Sequence, residues 1–300
     1  MVTPVIVIAI ALTGIGCGGK TTTTPKGNAA IVVDDLGRRV NVPNNLTRIV
    51  SLASSTTEIL YDLGCGDMVV GVDKNSNYPP EVKKKPIVGT GSSVNTEALL
   101  SLKPDLAFAW YYDEDTIAKI ESYGIPVVAI NPQSVDDVYK TIEMVGKITG
   151  KEARAKEIVQ GMQSKISAVA DQLKGVPKDK WPRVYYELQA PMKTVGPGTF
   201  TDEIIGLAGG MNIAESKGAK YPILSSEYIV ERNPNVIVVV SYGTPVKEIK
   251  ARGGWNNISA VKDNRVYEID SDLVTCTPRL VDGLQQMARW YHPELFKKSS

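Results

Sequence analysis

The chain contains T-E-A-L-L-S-L-K-P-D-L at residues 96–106 and repeats its pattern as S-E-Y-I-V-E-R-N-P-N-V at residues 226–236, and this repeat is the main evidence for its fold. Each copy places a hydroxyl residue before a glutamate, Glu97 or Glu227, and a proline seven residues beyond it. Each copy then runs into an apolar stretch that is typical of a β-strand. A hydroxyl residue followed by glutamate is also common at helix N-termini, so one matched pair alone has that simpler explanation.

A second repeated phrase precedes each copy. An internal duplication of the chain therefore explains the repeats better than ordinary helix capping does. T-E-I-L-Y-D-L-G occupies residues 57–64 and D-E-I-I-G-L-A-G occupies residues 202–209, so the two phrases recur in the same order. Apolar strands alternate with helical segments in both halves, which is typical of parallel βαβ units. The sequence therefore predicts an α/β protein with two βα lobes, central parallel sheets and a ligand-holding cleft between the lobes.

A long helical stretch separates the two halves. Ser134 and Asp137 form a capping-box-like start, and the pattern continues well beyond Gly150. The apolar positions of its second part share one helix face: Ile158, Met162, Ile166, Val169 and Leu173. The predicted division of the chain is an N-terminal lobe at residues 29–133, a rigid lobe-bridging helix at residues 134–175 and a C-terminal lobe at residues 176–300.

The first 28 residues have the composition of an export signal rather than of a folded segment. The apolar run at residues 5–15 is shorter than the roughly 20 residues that a membrane-spanning helix needs. It ends in small residues before Cys17, and a polar, threonine-rich segment typical of a flexible tether follows. No lysine or arginine precedes the run, and Gly14 stands where a larger aliphatic residue is usual. We expect a lipid on Cys17 to hold the protein outside the cytoplasm, on the outer face of the cytoplasmic membrane or in the periplasm.

The composition and the scarcity of reactive side chains exclude several function classes. The net charge of +1 gives the chain no general attraction for nucleic acid. His292 is the only histidine and is predicted to be a helix cap or a surface residue, so a catalytic triad has little support and a cage of several histidines is excluded. Cys65 and Cys276 fit no metal-ligand pattern and are predicted to be buried or inert thiols. We therefore expect a binding protein with no catalytic residue, metal site or prosthetic group.

Aromatic residues follow the ends of several predicted strands, where open α/β sheets bind ligands. They are Tyr78, Trp110, Tyr111, Tyr112, Tyr185, Tyr186, Tyr221 and Tyr242. Flat rings with polar atoms suit a large amphipathic ligand, and Trp110, Tyr111 and Tyr221 have the most weight because some of the others must belong to the core. Arg279 offers a planar guanidinium to a carboxylate, amide or phosphate. A cation at the start of the last helix is mildly unfavourable, which favours a functional role for Arg279.

Four motifs carry a resemblance to a known family over about residues 29–295. They are D-D-L-G-R-R-V-N-V-P from Asp34, R-I-V-S-L-A-S-S-T-T-E-I-L-Y-D-L-G from Arg48, N-T-E-A-L-L-S-L-K-P-D-L from Asn95 and P-R-L-V-D-G-L from Pro278. Together they resemble the periplasmic or lipid-anchored binding proteins of vitamin B12 and ferric-siderophore ABC importers. That resemblance implies the class III architecture, in which two lobes are joined by a single long rigid helix. Three phrases favour the B12-binding branch: S-N-Y-P-P-E from Ser76, A-W ending at Trp110 and S-D-L-V-T-C-T-P-R from Ser271.

The resemblance also implies roles for single residues. It puts Trp110, Tyr221, Asp272 and Arg279 at a corrinoid pocket, to which the aromatic pattern adds Tyr78 and Tyr111. It makes Glu97 and Glu227 exposed carboxylates that dock on arginines of two permease subunits, one glutamate from each lobe. The implied function is that of a monomeric lipoprotein that delivers a corrinoid of the cobalamin type to an ABC permease dimer with its ATPases, with no nucleic-acid partner.

Two departures from the B12-binding pattern keep other ligands open. Asn75 and Gly91 stand where B12-binding relatives can carry aromatic ligand contacts. The alternatives are a smaller or different corrinoid, a ferric siderophore, or haem held by the phenolate of Tyr111 or Tyr112. A different class of function, an enzyme or sensor that acts on a metallocofactor, also stays open because a fold does not determine a function.

Overall fold

The structure is a computed structural model that describes residues 30–90, 93–110, 114–214 and 218–296. Two α/β lobes with parallel sheets make up this part of the chain, which confirms the predicted fold class. The strands are β1 Ala30–Val33, β2 Arg39–Val42, β3 Ile49–Ser51, β4 Val69–Asp73, β5 Ile87–Gly89, β6 Leu106–Trp110, β7 Val127–Ile130, β8 Arg183–Glu187, β9 Met211–Asn212, β10 Val236–Val240 and β11 Val266–Ile269. The helices are α1 Ser54–Asp62, α2 Thr96–Ser101, α3 Glu114–Glu121, α4 Val135–Thr149, α5 Glu152–Leu173, α6 Phe200–Leu207, α7 Ser226–Arg232, α8 Val246–Ala251, α9 Ser259–Lys262 and α10 Leu280–Tyr291.

The N-terminal lobe is built on five parallel strands in the order β5-β4-β3-β6-β7. Every residue of β3 and β7 is buried, as expected for a parallel sheet that is covered on both faces. Apolar residues alternate with polar ones on either side of a turn in residues 31–42, a pattern that predicts a hairpin. The structure confirms it, with β1 and β2 paired antiparallel from Ala30–Val42 to Val33–Arg39. These elements place the carboxyl ends of β3 and β4 at one edge of the lobe.

The C-terminal lobe repeats this arrangement with four parallel strands in the order β11-β10-β8-β9. All five residues of β10 are buried. Tyr185 and Tyr186 in β8 are also fully buried, and the ring of Tyr185 packs edge-on against Trp255 with 5.8 Å between centroids. Neither tyrosine is therefore exposed as a ligand contact, and both stabilise the core of the lobe.

The repeated phrases adopt the same local structure in the two lobes. Asp105 follows α2 and accepts a hydrogen bond from the backbone N–H of Arg48 at 2.9 Å, and Asn235 follows α7 and accepts one from Arg183 N–H at 2.9 Å. Each arginine stands at the start of the neighbouring strand, and its Nε donates to a carbonyl oxygen at the end of the repeated helix. The same contacts therefore join helix and sheet in both lobes, as duplication predicts.

The connection between the lobes differs from the prediction at Gly150. The predicted helix is divided into α4 and α5, because Gly150 ends α4 in the left-handed conformation with φ 68°. The expectation of one continuous helix across Gly150 is therefore wrong, and α5 alone is the long helix of 22 residues, about 33 Å in length. Near its start Arg154 donates to the backbone of α1, and further along Lys165 pairs with Asp282 of α10 at 2.9 Å. α5 thus packs against both lobes.

Candidate functional site

An ion pair joins the two lobes. Glu58 of α1 accepts two hydrogen bonds from Arg279, at 2.9 Å from Nε and 2.6 Å from a terminal nitrogen. The side chains are 3% and 19% exposed, respectively. Because charge-assisted bidentate hydrogen bonds are among the stronger polar contacts in proteins, this pair fastens α1 to the residue that precedes α10.

The loop that follows β4 adds two more contacts across the cleft. The ring of Tyr78 lies 3.8 Å from the guanidinium carbon of Arg279, which is a cation–π distance. The side-chain amide of Asn77 donates to Asp272 at 3.1 Å. These residues and Glu58 follow β3, β4 and β11, so the contacts lie beyond the carboxyl ends of parallel strands. Open α/β proteins bind their ligands at such ends.

A small polar cavity of about 40 Å³ lies among these groups. Its lining residues are Ser54, Ser55, Glu58, Asn75, Asn77, Tyr78, Asp272, Thr275, Thr277 and Arg279. Ser55 and Thr277 are each 3% exposed, and within the described ranges their hydroxyl groups have no hydrogen-bond partner. Buried hydroxyl groups are nearly always hydrogen-bonded, so these two are exceptions to that rule among the described residues.

Burial and charge shape the electrostatics of the site. Burial opposes the charged form of Arg279, but the hydrogen bonds and the charge of Glu58 outweigh this effect and raise the pKa of the guanidinium. At the end of α1, burial and then the charge of Glu58 raise the pKa of Asp62 to about 6. Among the cavity-lining residues one guanidinium thus faces two carboxylates, those of Glu58 and Asp272.

A second glutamate makes a related contact from the other lobe. Glu203 of α6 holds the position in D-E-I-I that Glu58 holds in T-E-I-L, and its carboxylate accepts a hydrogen bond from Val135 N–H at 2.9 Å. Val135 is the first residue of α4, and the free N–H groups at a helix N-terminus favour a carboxylate. Burial raises the pKa of Glu203. Each copy of the repeated phrase therefore directs a glutamate out of its own lobe.

The structure brings only some of the predicted ligand residues together. Tyr78, Asp272 and Arg279 line one cavity, whereas Trp110 and Tyr221 are not among its lining residues. Trp110 ends β6, is partly buried and packs against the hydrophobic core. Tyr221 precedes α7 with 55% of its surface exposed. Tyr111 and Tyr112 lie outside the described residues, as do Gly91 and Cys17.

The two glutamates of the opening motif occupy equivalent, exposed positions. Glu97 is the second residue of α2 and Glu227 the second residue of α7. The side chain of Asn95 caps α2 by accepting from Ala98 N–H, and that of Ser225 caps α7 by accepting from Tyr228 N–H. Capping therefore does not use the two carboxylates, and both face solvent.

Sequence reasoning missed Glu58 and the two unpaired hydroxyl groups. The pattern of residues 54–57 predicts capping hydroxyls, yet the N-cap of α1 is Ala53, with no side-chain capping hydrogen bond. The hydroxyl of Ser55 is instead buried without a hydrogen-bond partner among the described residues, and Ser55 is one of the residues that line the cavity. The one signal that could have identified Glu58 was its equivalence to Glu203 in the repeated phrase.

The two described cysteines and the histidine are buried or half-buried. Cys65 and Cys276 are free thiols, as predicted, and burial raises the pKa of Cys276 to about 12. His292 is the C-cap of α10, so the prediction of a helix cap is confirmed. The other alternative, a surface position, is wrong, because His292 is buried with a ring nitrogen 2.9 Å from the carbonyl oxygen of Gly209. Within the described ranges no cluster of three or more His, Cys, Asp or Glu is suited to a metal ion. None of the helices described there has the length and hydropathy of a membrane span.

Comparison with known sequences places this architecture in a family. The profile of the periplasmic binding proteins matches residues 49–273, which is most of both lobes. The chain belongs to the periplasmic binding protein family. This binding protein is 38% identical over 277 residues to YvrC, an uncharacterized ABC transporter substrate-binding lipoprotein of Bacillus subtilis, with 89% of the chain and 87% of the relative covered. A cobalamin-binding protein of Halobacterium salinarum is 30% identical over 291 residues, with 92% and 75% covered.

A solved structure extends the comparison to a different ligand. The molybdate-binding protein MolA of Haemophilus influenzae, in its molybdate-bound form, superimposes with a TM-score of 0.79 at 28% identity and covers 90% of this chain and 94% of that one. The family resemblance predicted from the motifs is therefore confirmed. Because the relatives bind chemically different ligands, family membership does not select among cobalamin, molybdate and other ligands for this binding protein.

Proposed function

We propose that this protein is the substrate-binding component of an ABC importer and that it captures a corrinoid between its lobes. The observation that carries the proposal is the polar cleft site at the carboxyl ends of β3, β4 and β11, where Glu58, Arg279 and Tyr78 meet across the two lobes. Cobalamin-binding and ABC-transporter names among the relatives support the same function. The aromatic residues Trp110 and Tyr221 are the proposed contacts for the apolar faces of the ligand.

A corrinoid requires the cleft to open. It is far larger than the cavity of about 40 Å³, so its entry must separate the lobes and break the contact between Glu58 and Arg279. The long helix α5, which packs against both lobes, limits the size of that movement. We therefore expect a modest opening rather than a wide hinge motion.

The test of the proposed ligand is retention of colour. The purified protein is incubated in parallel with cobalamin, dicyanocobinamide, haem and a ferric hydroxamate, and each mixture is separated by gel filtration. We expect a corrinoid to elute with the protein in a ratio of about one to one. Retention of haem or the ferric hydroxamate alone would replace the corrinoid with that ligand, and retention of no chromophore would refute the proposal.

Docking on the permease is proposed for Glu97 and Glu227. They are exposed, they stand at equivalent helix positions, and there is one in each lobe, which suits a partner with two-fold symmetry. Glu97→Arg combined with Glu227→Arg should leave ligand affinity unchanged and abolish uptake through the permease, because the charge that faces the arginines of the partner is reversed. The matched control is Glu114→Arg with Glu231→Arg, which reverses two other exposed helix carboxylates. Normal uptake by the first double variant would exclude the docking role.

The proposed place of action is the outer face of the cytoplasmic membrane. The apolar run before Cys17 and the lipoprotein name of the relative YvrC support a lipid anchor at that cysteine. Cys17→Ser should move the protein from the membrane fraction to the soluble fraction and abolish labelling by radioactive palmitate. Unchanged labelling of the Cys17→Ser protein would refute the anchor.

A further inference from the structure

Two residues of the cleft lie on neighbouring segments of the C-terminal lobe that touch at a glycine. Asp272 lies in the short 3₁₀ turn Ser271–Val274, called the Asp272 turn below, and Arg279 is the N-cap of α10. Gly283 is buried in α10, and its N–H donates to the carbonyl oxygen of Arg279 at 3.4 Å. Gly283 therefore lies one helical turn beyond Arg279.

The Asp272 turn approaches the backbone of Gly283 so closely that only glycine fits. A Cβ atom on residue 283 would overlap the carbonyl oxygen of Leu273, and it would lie 2.9 Å from the carbonyl carbon and 3.1 Å from the Cβ of the same residue. Rotation of a side chain cannot relieve this overlap, because two of the three atoms belong to the backbone. Glycine inside a helix is unfavourable compared with alanine, and the close approach of the turn explains its presence here.

This close contact fixes Asp272 and Arg279 relative to each other. Both side chains reach the N-terminal lobe: Asp272 accepts a hydrogen bond from Asn77, and Arg279 donates two to Glu58. Those contacts must break when a ligand separates the lobes. The contact at Gly283 lies within the C-terminal lobe, so it persists when the lobes separate.

We infer that Gly283 is a positioning residue, which sets the spacing of Asp272 and Arg279 on the C-terminal wall of the cleft. In the empty protein this spacing matches the partners of the two residues in the N-terminal lobe. In the open protein the same wall presents a carboxylate and a guanidinium to the entering ligand at a fixed spacing. The role in ligand binding rests on the proposed function, whereas the role in the empty cleft does not.

Urea unfolding of the ligand-free protein tests the positioning role without any ligand. Gly283→Ala should displace the turn from α10 and misplace Arg279, so Glu58→Gln should lower the urea midpoint less than half as much in this variant as in the natural protein. Gly146→Ala is the matched control, because Gly146 is buried in α4 and a Cβ there would lie 2.5 Å from the Cβ of Ala155 in α5. It should destabilise the protein and leave the effect of Glu58→Gln unchanged. The positioning role is overturned if Gly283→Ala does not reduce that effect, or if Gly146→Ala reduces it equally.

A second substitution perturbs the same turn without adding an atom to α10, and it decides the question if Gly283→Ala does not fold. Leu273→Gly gives the backbone of the Asp272 turn more conformational freedom. The effect of Glu58→Gln on the urea midpoint should again fall below half of its value in the natural protein. An unchanged effect overturns the positioning role.

Calorimetric titration with dicyanocobinamide tests the role in ligand binding. Gly283→Ala should weaken binding about tenfold, the equivalent of one or two net hydrogen bonds, and Gly146→Ala should not weaken it. In a protein that carries both Asp272→Asn and Arg279→Gln, Gly283→Ala should cause no further loss, because the groups that it positions are already changed. If the natural protein binds the corrinoid and Gly283→Ala binds it equally well, the role in ligand binding is overturned and the proposed function stands. If the natural protein binds no corrinoid, the proposed function is refuted, and the urea experiment alone decides the positioning role.

Discussion

The contact between Glu58 and Arg279 gives the strongest test of how the cleft is held. Arg279→Gln leaves the Glu58 carboxylate, 3% exposed, without its counter-charge. Removing one partner of a buried ion pair costs about 3–5 kcal/mol, and we expect the lower end of this range in the free energy of unfolding because Arg279 is itself 19% exposed. Glu58→Gln should cost less, about 1–2 kcal/mol, since the remaining guanidinium can turn towards water.

A double-mutant cycle isolates the interaction of the pair. Urea unfolding of the natural protein, the two single variants and the double variant should give a coupling energy of about 1.5–3 kcal/mol between Glu58 and Arg279. The chain offers a matched control in Glu187 and Arg252, which are 0% and 18% exposed and share two hydrogen bonds of 2.5 and 2.7 Å. That pair lies within the C-terminal lobe, so its coupling should be similar in size.

The two pairs should differ in their effect on shape. In the ligand-free protein Glu58→Gln should increase the radius of gyration measured by X-ray scattering, because a contact between the lobes is lost, whereas Glu187→Gln should not. The proposed role of the Glu58–Arg279 contact is refuted if the scattering curves of both variants match that of the natural protein. A coupling energy below about 0.5 kcal/mol would also refute that role, because pairs of substitutions at sites that do not interact deviate from additivity by as much.

Two further sets of substitutions test the pH dependence and the aromatic contacts. Burial raises the pKa of Asp62 from 3.8 to about 6, so the folded state keeps a proton that the unfolded state has already released. The free energy of unfolding therefore falls as the pH rises from about 4 to about 6. Asp62→Asn should therefore raise the melting temperature above pH 6 and leave it unchanged below pH 4. The exposed control Asp179→Asn should not change the melting temperature at either pH. A change that is the same at all pH values would contradict the raised pKa of Asp62. Trp110→Ala and Tyr221→Ala should each weaken corrinoid binding by about 1–3 kcal/mol in calorimetric titration. Only Trp110→Ala should also lower the melting temperature, because Tyr221 is 55% exposed, and unchanged affinity in both variants would show that the ligand contacts other loops.

The fold could be predicted because local signals and repeated phrases agree. The apolar stretches that follow the two repeated patterns, at residues 106–110 and 236–240, predict strands with the bounds of β6 and β10. Short apolar runs between turn residues are strong strand signals. The prediction failed at Gly150, where apolar periodicity continues on both sides. Periodicity reports which residues face the core and does not report a change of helix direction, which here depends on one left-handed glycine.

The site was less predictable because its contacts join distant segments. Glu58 and Arg279 are 221 positions apart, and each has a sufficient local explanation as a residue at the start of a helix. A cation at a helix N-terminus is unfavourable, which points to a functional role for Arg279, whereas a glutamate near the start of α1 is ordinary and gives no such signal. The unpaired state of Ser55 and Thr277 depends on what surrounds them in three dimensions, which no local pattern records.

The duplication supplies two kinds of glutamate, and their placement links the cleft to the outer surface. In the phrase that forms α1 and α6, Glu58 and Glu203 leave their own lobes and bind groups on other segments of the fold. In the phrase that forms α2 and α7, Glu97 and Glu227 remain exposed. If ligand entry separates the lobes by breaking the contact of Glu58, the distance between the two exposed glutamates changes with it, since each is fixed to one lobe. A permease that engages both carboxylates would therefore distinguish loaded from empty protein without contacting the ligand.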